Sequence, residues 1–318
     1  MARLPRLSGS IGCCEGPEIK TILREIGGEP SLSCCRAGAA GTWSKDTVLL
    51  LHRDSAEALC FVKAGAGAAV DSLLQNEANW LRRLRGEKEI AELVPELLAH
   101  RAGEDFCFVA QRPISGELDF KLGAPQFDFL RKLQASSTQW MRYEDSQLFR
   151  TLRSRAKQLE GHLSDAWSAR LEIGMRRVEE ALAGRRILLV GVHNDFTPWN
   201  IRIERGVAKV FDWEYAADEQ LPLFDPLHFV LLPMALRRPP TSTVIKTLKD
   251  TIGFCRQKLP KESCYAAQAQ ALAYLLNVSV LYLRSLCGDC RFDPVIDSYG
   301  RAIDGLCAQA GHGQCKHN

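Results

Sequence analysis

Hydrophobic and polar positions along the chain change character near residue 111. A polar lead-in runs to about Pro30, with one short helix predicted over Glu18 to Ile26 and stopped by Gly27-Gly28. Three strand-like runs follow, Ser31 to Ala37, Thr47 to His52 and Ala58 to Val62. A Gly- and Ala-rich segment, Ala37 to Lys45, separates the first two, and Asp54-Ser55-Ala56-Glu57 turns the second into the third. Apolar residues then recur at helical spacing from Val70 to Leu84, ending at Gly86. Two more strands, around Glu96 to His100 and Phe106 to Ala110, complete a predicted five-stranded antiparallel unit with one inserted helix.

Past Gln111-Arg112-Pro113 helical periods dominate. They cover Gln126 to Leu133, Ser146 to Leu163, Ala166 to Leu182, Pro226 to Leu236, Ser242 to Leu259, Ala266 to Leu286 and Pro294 to Ala308. A strand-rich island, Ile187 to Glu214, interrupts them. There is no internal repeat at a solenoid period. The pattern predicts an α+β chain of two lobes: a strand-rich N-lobe over 1–110, of which 1–30 is lead-in, and a mainly helical C-lobe over 111–318 carrying a hairpin.

Composition narrows the function classes. With 46% hydrophobic and 25% charged residues among 318, collagen-like, low-complexity and disordered readings drop out, and the length exceeds what one core usually holds. A net charge of +3 is too small to predict a nucleic-acid or membrane surface. The most apolar segment, Ala269 to Leu286, is broken by Gln270, Asn277, Ser279 and Arg284, which reads as a buried helix rather than a membrane span. MARLPRLSGSIG at the start has no apolar run suited to a signal peptide, so the expected location is cytoplasmic. Twelve cysteines in a long chain of that kind point to thiols rather than disulfides. Cys287-x-x-Cys290 with Cys307, His312 and Cys315 offers zinc ligands, but the long gaps match no standard spacing and leave plain thiols as the alternative.

The island carries the chemistry. An apolar strand, Ile187 to Val192, runs directly into His193-Asn194-Asp195. Thr197-Pro198-Trp199-Asn200 then turns into a hairpin, Ile201 to Ile203 and Val207 to Phe211, through Glu204-Arg205-Gly206, and its second strand ends in Asp212. Asp195, Asn200 and Asp212 therefore gather at the mouth of one small sheet. An Asn and an Asp, with phosphate oxygens, suffice to hold Mg2+, and a separate carboxylate can accept a proton from an attacking hydroxyl. In the first lobe, Glu77 lies within the apolar stripe Leu73, Trp80 and Leu84, where an unpaired carboxylate is costly. Lys63 on the preceding strand is the obvious partner.

His193-x-Asp195-x4-Asn200, followed by Phe211-Asp212-Trp213-Glu214, resembles the catalytic and metal motifs of aminoglycoside phosphotransferases and choline kinases, small-molecule relatives of the protein kinases. The resemblance extends from about Ser31 to Phe229 and implies a two-lobed protein-kinase-like fold with ATP and Mg2+ as cofactors. By motif position it makes Asp195 the catalytic base, Asn200 and Asp212 the metal ligands and His193 the support of the loop. It makes Lys63 the lysine that grips nucleotide phosphates, with Glu77 its ion-pair partner. Asn194 stands where aminoglycoside phosphotransferases usually have Gly, as in choline-kinase-like members. No GxGxxG occurs in the expected phosphate loop, Arg36 to Asp46, where Ser44, Lys45 or backbone N–H groups are the available contacts. Asp225 resembles a family aspartate that steadies the loops, and as an N-cap before Pro226 it has a structural explanation.

The resulting expectation is a kinase transferring the γ-phosphate of ATP to a hydroxyl of a small molecule: a sugar, an amino alcohol or an aminoglycoside-like acceptor. The alternative is a pseudokinase, a nucleotide-binding scaffold without turnover. Through Gln111 the chain has 13 Lys+Arg against 15 Asp+Glu, and beyond it 28 against 23, which favours a neutral or anionic acceptor over a polycation. Neither nucleic acid nor membrane is an expected partner, and oligomeric state is left open.

Overall fold

The computed structural model describes residues 17–26, 32–36, 45–52, 58–285 and 293–311. In chain order they form α1 (Pro17–Glu25), β1 (Leu32–Arg36), β2 (Lys45–His52), β3 (Ala58–Gly65), α2 (Ala68–Arg85), β4 (Leu97–Arg101) and β5 (Cys107–Gln111). There follow α3 (Ala124–Ala135), β6 (Gln139–Arg142), α4 (Gln147–Lys157), α5 (Asp165–Leu182) and β7 (Arg186–Val192). The hairpin strands β8 (Ile201–Glu204) and β9 (Val207–Val210) precede β10 (Ala217–Gln220), and the chain continues through α6 (Phe224–Ala235), α7 (Thr241–Lys258), α8 (Ala267–Ser285) and α9 (Pro294–Gly311).

Two compact units result, residues 1–121 with 198–216, and residues 122–197 with 217–318. The hairpin that the sequence reading assigned to the helical lobe thus belongs to the strand-rich unit. Its attachment is local: Glu117 bridges Ile203, with reciprocal backbone hydrogen bonds of 2.9 and 2.8 Å. Gly116 permits this approach, because at φ 128° a Cβ would lie 2.8 Å from the Ile203 carbonyl oxygen.

The first unit is an antiparallel sheet in the order β1-β2-β3-β5-β4. Alternation along β5 sends Phe108 and Ala110 to one face, with Ile22 of α1, and Cys107 and Val109 to the other, with Val70, Leu74 and Ala78 of α2. Lys63 stands opposite Val109 in the register of β3 and β5, so the sheet's period directs it to the α2 face. On α2 the buried stripe is Leu74, Glu77, Ala78, Leu81 and Leu84, with Trp80 beside it, and Leu73 is only half-buried. The hairpin β8–β9 turns at Arg205 and Gly206, both at positive φ, the geometry that matches strand twist in a two-residue loop.

The second unit wraps helices around a three-stranded antiparallel sheet, β10-β7-β6. Its central strand β7 is buried from Ile187 to Val192. Helix α8 is buried on most of its circumference, and Gly174 of α5 lies close against its Leu276. Among the described residues no helix is long and apolar enough to cross a membrane. Cys60, Cys107, Cys255, Cys264 and Cys307 are free thiols. Of the proposed zinc ligands only Cys307 lies within the described residues; Cys287, Cys290, His312 and Cys315 lie outside them.

Candidate functional site

In the first unit Lys63, 3% exposed, extends from β3 to Glu77 of α2, with Nζ to Oε2 at 2.7 Å. The same ammonium donates to Asp212 Oδ1 and lies 3.4 Å from Glu214 Oε2. Glu77 and Glu214 are buried, whereas the Asp212 side chain is 29% exposed. Burial alone pushes the Lys63 ammonium down, but Asp212, Glu77 and Glu214 outweigh it and hold the group well above the ordinary lysine range. Burial pushes the Glu77 carboxyl up, Lys63 pulls it back, and the neighbouring Asp212 and Glu214 add to the rise.

The loop bearing Asp212 is fastened to α2. Trp213 N–H donates to Glu77 Oε1 at 3.3 Å, and Asn76 Nδ2 donates to the carbonyls of Glu214 and Ala216 at 2.9 and 3.0 Å. Trp213 stacks on Trp80 at 5.9 Å between ring centroids and donates through Nε1 to the Val210 carbonyl. Asp212 itself adopts a left-handed backbone, φ 73° and ψ 57°, a conformation that costs most residues energy and that Asp tolerates better than many. Asn200, buried, opens the hairpin whose far end leads to Asp212, and its carbonyl accepts from Phe211 N–H at 3.1 Å.

In the second unit β7 delivers His193, Asn194 and Asp195. The Asp225 carboxylate on α6 accepts from His193 N–H at 2.8 Å and Asn194 N–H at 2.9 Å. Asp225 is therefore not an N-cap, which is Leu223; it sits in the first helical turn and spends both oxygens on the loop. Its burial raises the carboxyl above the usual aspartate value, opposed by His193, His228 and the two N–H donors. The fully buried His193 ring accepts from Asp195 N–H through Nδ1 at 3.2 Å. Asn194 has φ 62°, which explains why a position open to Gly also accepts Asn. Asp195 Oδ1 lies 3.2 Å from His228 Nε2.

The structure thus brings Lys63, Glu77 and Asp212 together, and joins His193 to the backbone of Asp195. Lys45 starts β2, with its side chain outside the described residues, as is all of Ser44. Glu214 and His228 were not read from the sequence as site residues. Glu214 carried a signal, since it follows Asp212 in the quoted motif; His228, in the middle of an apolar helix segment, carried none.

The donor set suits a hard cation. One carboxylate oxygen each from Glu77, Asp212 and Glu214 lies within 4.8 Å of the others, around the single ammonium of Lys63. Three carboxylates against one lysine leave a deficit that a divalent ion would make good, and Asp212 is the member open to it.

Comparisons with known proteins identify the family and the fold. The family model described as "Phosphotransferase enzyme family" matches residues 37–255. No curated protein matches in sequence. Among solved structures, aminoglycoside phosphotransferase APH(4)-Ia, in a ternary complex with AMP-PNP and hygromycin B, is similar at TM-score 0.61 and 15% identity, over 92% of this chain and 98% of that one. ADP-bound aminoglycoside phosphotransferase APH(2'')-Ib is similar at TM-score 0.55 and 13% identity, over 92% and 99%. A choline/ethanolamine kinase family protein from Mesorhizobium loti is similar at TM-score 0.58 and 16% identity, over 92% of each. Those neighbours share the protein-kinase-like fold along nearly their whole length, and with most of its residues inside the matched model this chain belongs to the phosphotransferase enzyme family.

Proposed function

We propose that the protein is an ATP- and Mg2+-dependent kinase that phosphorylates a hydroxyl of a small molecule. The observation that carries this reading is the buried lysine shared by Glu77, Asp212 and Glu214, an arrangement with a surplus of negative charge beside one accessible carboxylate. A core built only for stability gains little from such a cluster, whereas a nucleotide–metal site requires it. Nucleotides in the named neighbours support the choice of ATP.

In this reading Lys63, oriented by Glu77, contacts the nucleotide phosphates. Asn200 and Asp212 would hold Mg2+, which supplies neutralisation of phosphate charge when bound. Asp195 orients the acceptor hydroxyl and takes its proton. The acceptor oxygen bonds to the γ-phosphorus while the bond to the β,γ-bridging oxygen breaks, and ADP leaves with that electron pair. Positioning and charge do most of the work, so few side chains are needed. Candidate acceptors are a sugar, an amino alcohol or an aminoglycoside-like compound, with the basic surplus beyond Gln111 favouring a neutral or anionic one.

The test is Mg2+-dependent ATP binding and turnover by wild type and Asp195→Ala against glucose, ethanolamine and hygromycin B. Turnover with one acceptor class, reduced at least about 10³-fold in Asp195→Ala with ATP affinity preserved, supports the reading. Binding of Mg-ATP without transfer to any acceptor selects the scaffold alternative, and absence of nucleotide binding refutes both.

A further inference from the structure

Asp195 is approached from within its own unit by a file of buried polar groups. His228 of α6 is 5% exposed, and Tyr274 of α8 and Tyr299 of α9 are at most 1% exposed. His228 Nε2 lies 3.2 Å from Asp195 Oδ1, His228 Nδ1 lies 3.1 Å from the Tyr274 hydroxyl, and that hydroxyl lies 2.8 Å from the Tyr299 hydroxyl. Three helices contribute one member each. Phe224 meets the Tyr274 ring edge-on, with centroids 5.9 Å apart, so the file runs beside apolar packing.

We propose that His228 is a positioning residue for Asp195: a neutral imidazole, locked by Tyr274 and Tyr299 in the Nε2–H form, that donates to Oδ1 and leaves the other carboxylate oxygen for the acceptor hydroxyl. The inference rests on the reading of Asp195 as the base. Its polarity follows from what each group can do. An ionised carboxylate only accepts, so Nε2 must carry the hydrogen. A neutral ring then has a lone pair on Nδ1, which Tyr274 O–H supplies with a donor, and Tyr299 O–H in turn donates to Tyr274. Burial raises both phenols well above the ordinary tyrosine range, so both keep their protons at neutral pH. The other titratable groups facing this file are Asp225 of α6, His193 of the loop and Tyr282 of α8, the last pushed up to about 12 by burial and the nearby Asp195 and Asp293.

The proposal is tested on the full chain with His228→Leu, His228→Gln, Tyr274→Phe and Asp195→Asn, following ADP release from Mg-ATP with glucose, ethanolamine and hygromycin B in turn. His228→Leu is expected to lower kcat about 10- to 100-fold with KM for ATP unchanged. Loss of the donor also makes Asp195 a stronger base in its charged form, so the acidic limb of kcat/KM moves to higher pH by about one unit. His228→Gln retains an N–H donor and should recover most of kcat and the original limb, with Tyr274→Phe between the two. Long-range 1H–15N spectra, with His228→Gln identifying the resonance, should show the hydrogen on Nε2 and none on Nδ1 at pH 7. An imidazolium or an Nδ1–H tautomer at pH 7 overturns the proposal, as does an unshifted limb in a folded His228→Leu; should that variant fail to fold, an unshifted limb in Tyr274→Phe does so. Full activity in Asp195→Asn would sink the base assignment itself, while an inactive Asp195→Asn beside a wild-type-like His228→Leu would sink only the role of His228.

Discussion

Replacing Lys63 with Met tests the charge logic of the first unit directly. The substitution keeps an unbranched stem as far as Cε and removes the ammonium shared by three carboxylates, two of them buried. At an effective dielectric near 20, an ammonium 2.7 Å from Glu77 and 3.4 Å from Glu214 gains about 6 and about 5 kcal/mol of Coulomb attraction. The measurable loss is smaller, because a carboxylate left alone takes up a proton at about 1.4 kcal/mol per pKa unit. Removing one member of a buried pair usually costs about 3–5 kcal/mol, and that is the expected destabilisation at pH 8. The sign of its pH dependence is fixed. In Lys63→Met the Glu77 carboxyl titrates above its unfolded value near 4.5, so the folded state binds more protons and stability falls as pH rises through that window. In the wild type Lys63 titrates above 10.5, and its contribution is lost only beyond that value. Hydrogen exchange of peptides from α2 and β9, compared with wild type at pH 5.5 and 8, should show about 200- to 5000-fold lost protection at pH 8 and much less at pH 5.5. A loss under about 1 kcal/mol, or one equal at both pH values, would refute the reasoning.

Two further predictions concern the same unit. Asp212→Asn should cut the Mg2+-induced gain in ATP affinity at least about tenfold in calorimetric titrations, and unchanged magnesium coupling would remove Asp212 from the ligand set. Gly116→Ala places a Cβ 2.8 Å from the Ile203 oxygen at φ 128° and should cost about 2 kcal/mol or more, seen as a lower thermal midpoint. A neutral result there would show that the bridge from Glu117 to β8 can shift to make room.

What the sequence disclosed and what it hid follow from range. Helices α2, α5, α7 and α8 were legible because each buries an apolar stripe several turns long, and the β8–β9 turn because Gly206 suits positive φ. Strands β6 and β10 were not, since Gln139-Trp140-Met141-Arg142 and Ala217-Asp218-Glu219-Gln220 carry little hydrophobic pattern and are strands only through pairing with β7. The pairing of Lys63 with Glu77 could be argued because a carboxylate in an apolar stripe demands a partner. Glu214 shares that partner, but nothing in its local context demands one. The N-cap reading of Asp225 erred because a helix-start aspartate before proline has a complete local explanation, whereas the N–H groups that donate to it lie 32 and 31 residues back, at His193 and Asn194.

The two units solve one physical problem in the same way. Each carries a proposed site aspartate on a loop with a left-handed residue, Asp212 itself at φ 73° in one and Asn194 beside Asp195 at φ 62° in the other. Such a conformation costs about 1–3 kcal/mol where the residue is not glycine. Each loop is held by a buried helical carboxylate that accepts from its backbone, Glu77 from Trp213 N–H, and Asp225 from His193 and Asn194 N–H. Hydrogen bonds to a charged acceptor contribute about 1.5–3 kcal/mol each, enough to offset the strain. Both carboxyls have pKa values raised by burial, so neither site is optimised for the stability of the acid that holds it. A helix side chain is a more rigid tether than a neighbouring loop, and it fixes the backbone beside each aspartate without engaging that aspartate's carboxylate. In the proposed kinase, two buried acids cost stability and give Asp195 and Asp212 a fixed backbone, the condition under which a reaction run on positioning and charge proceeds.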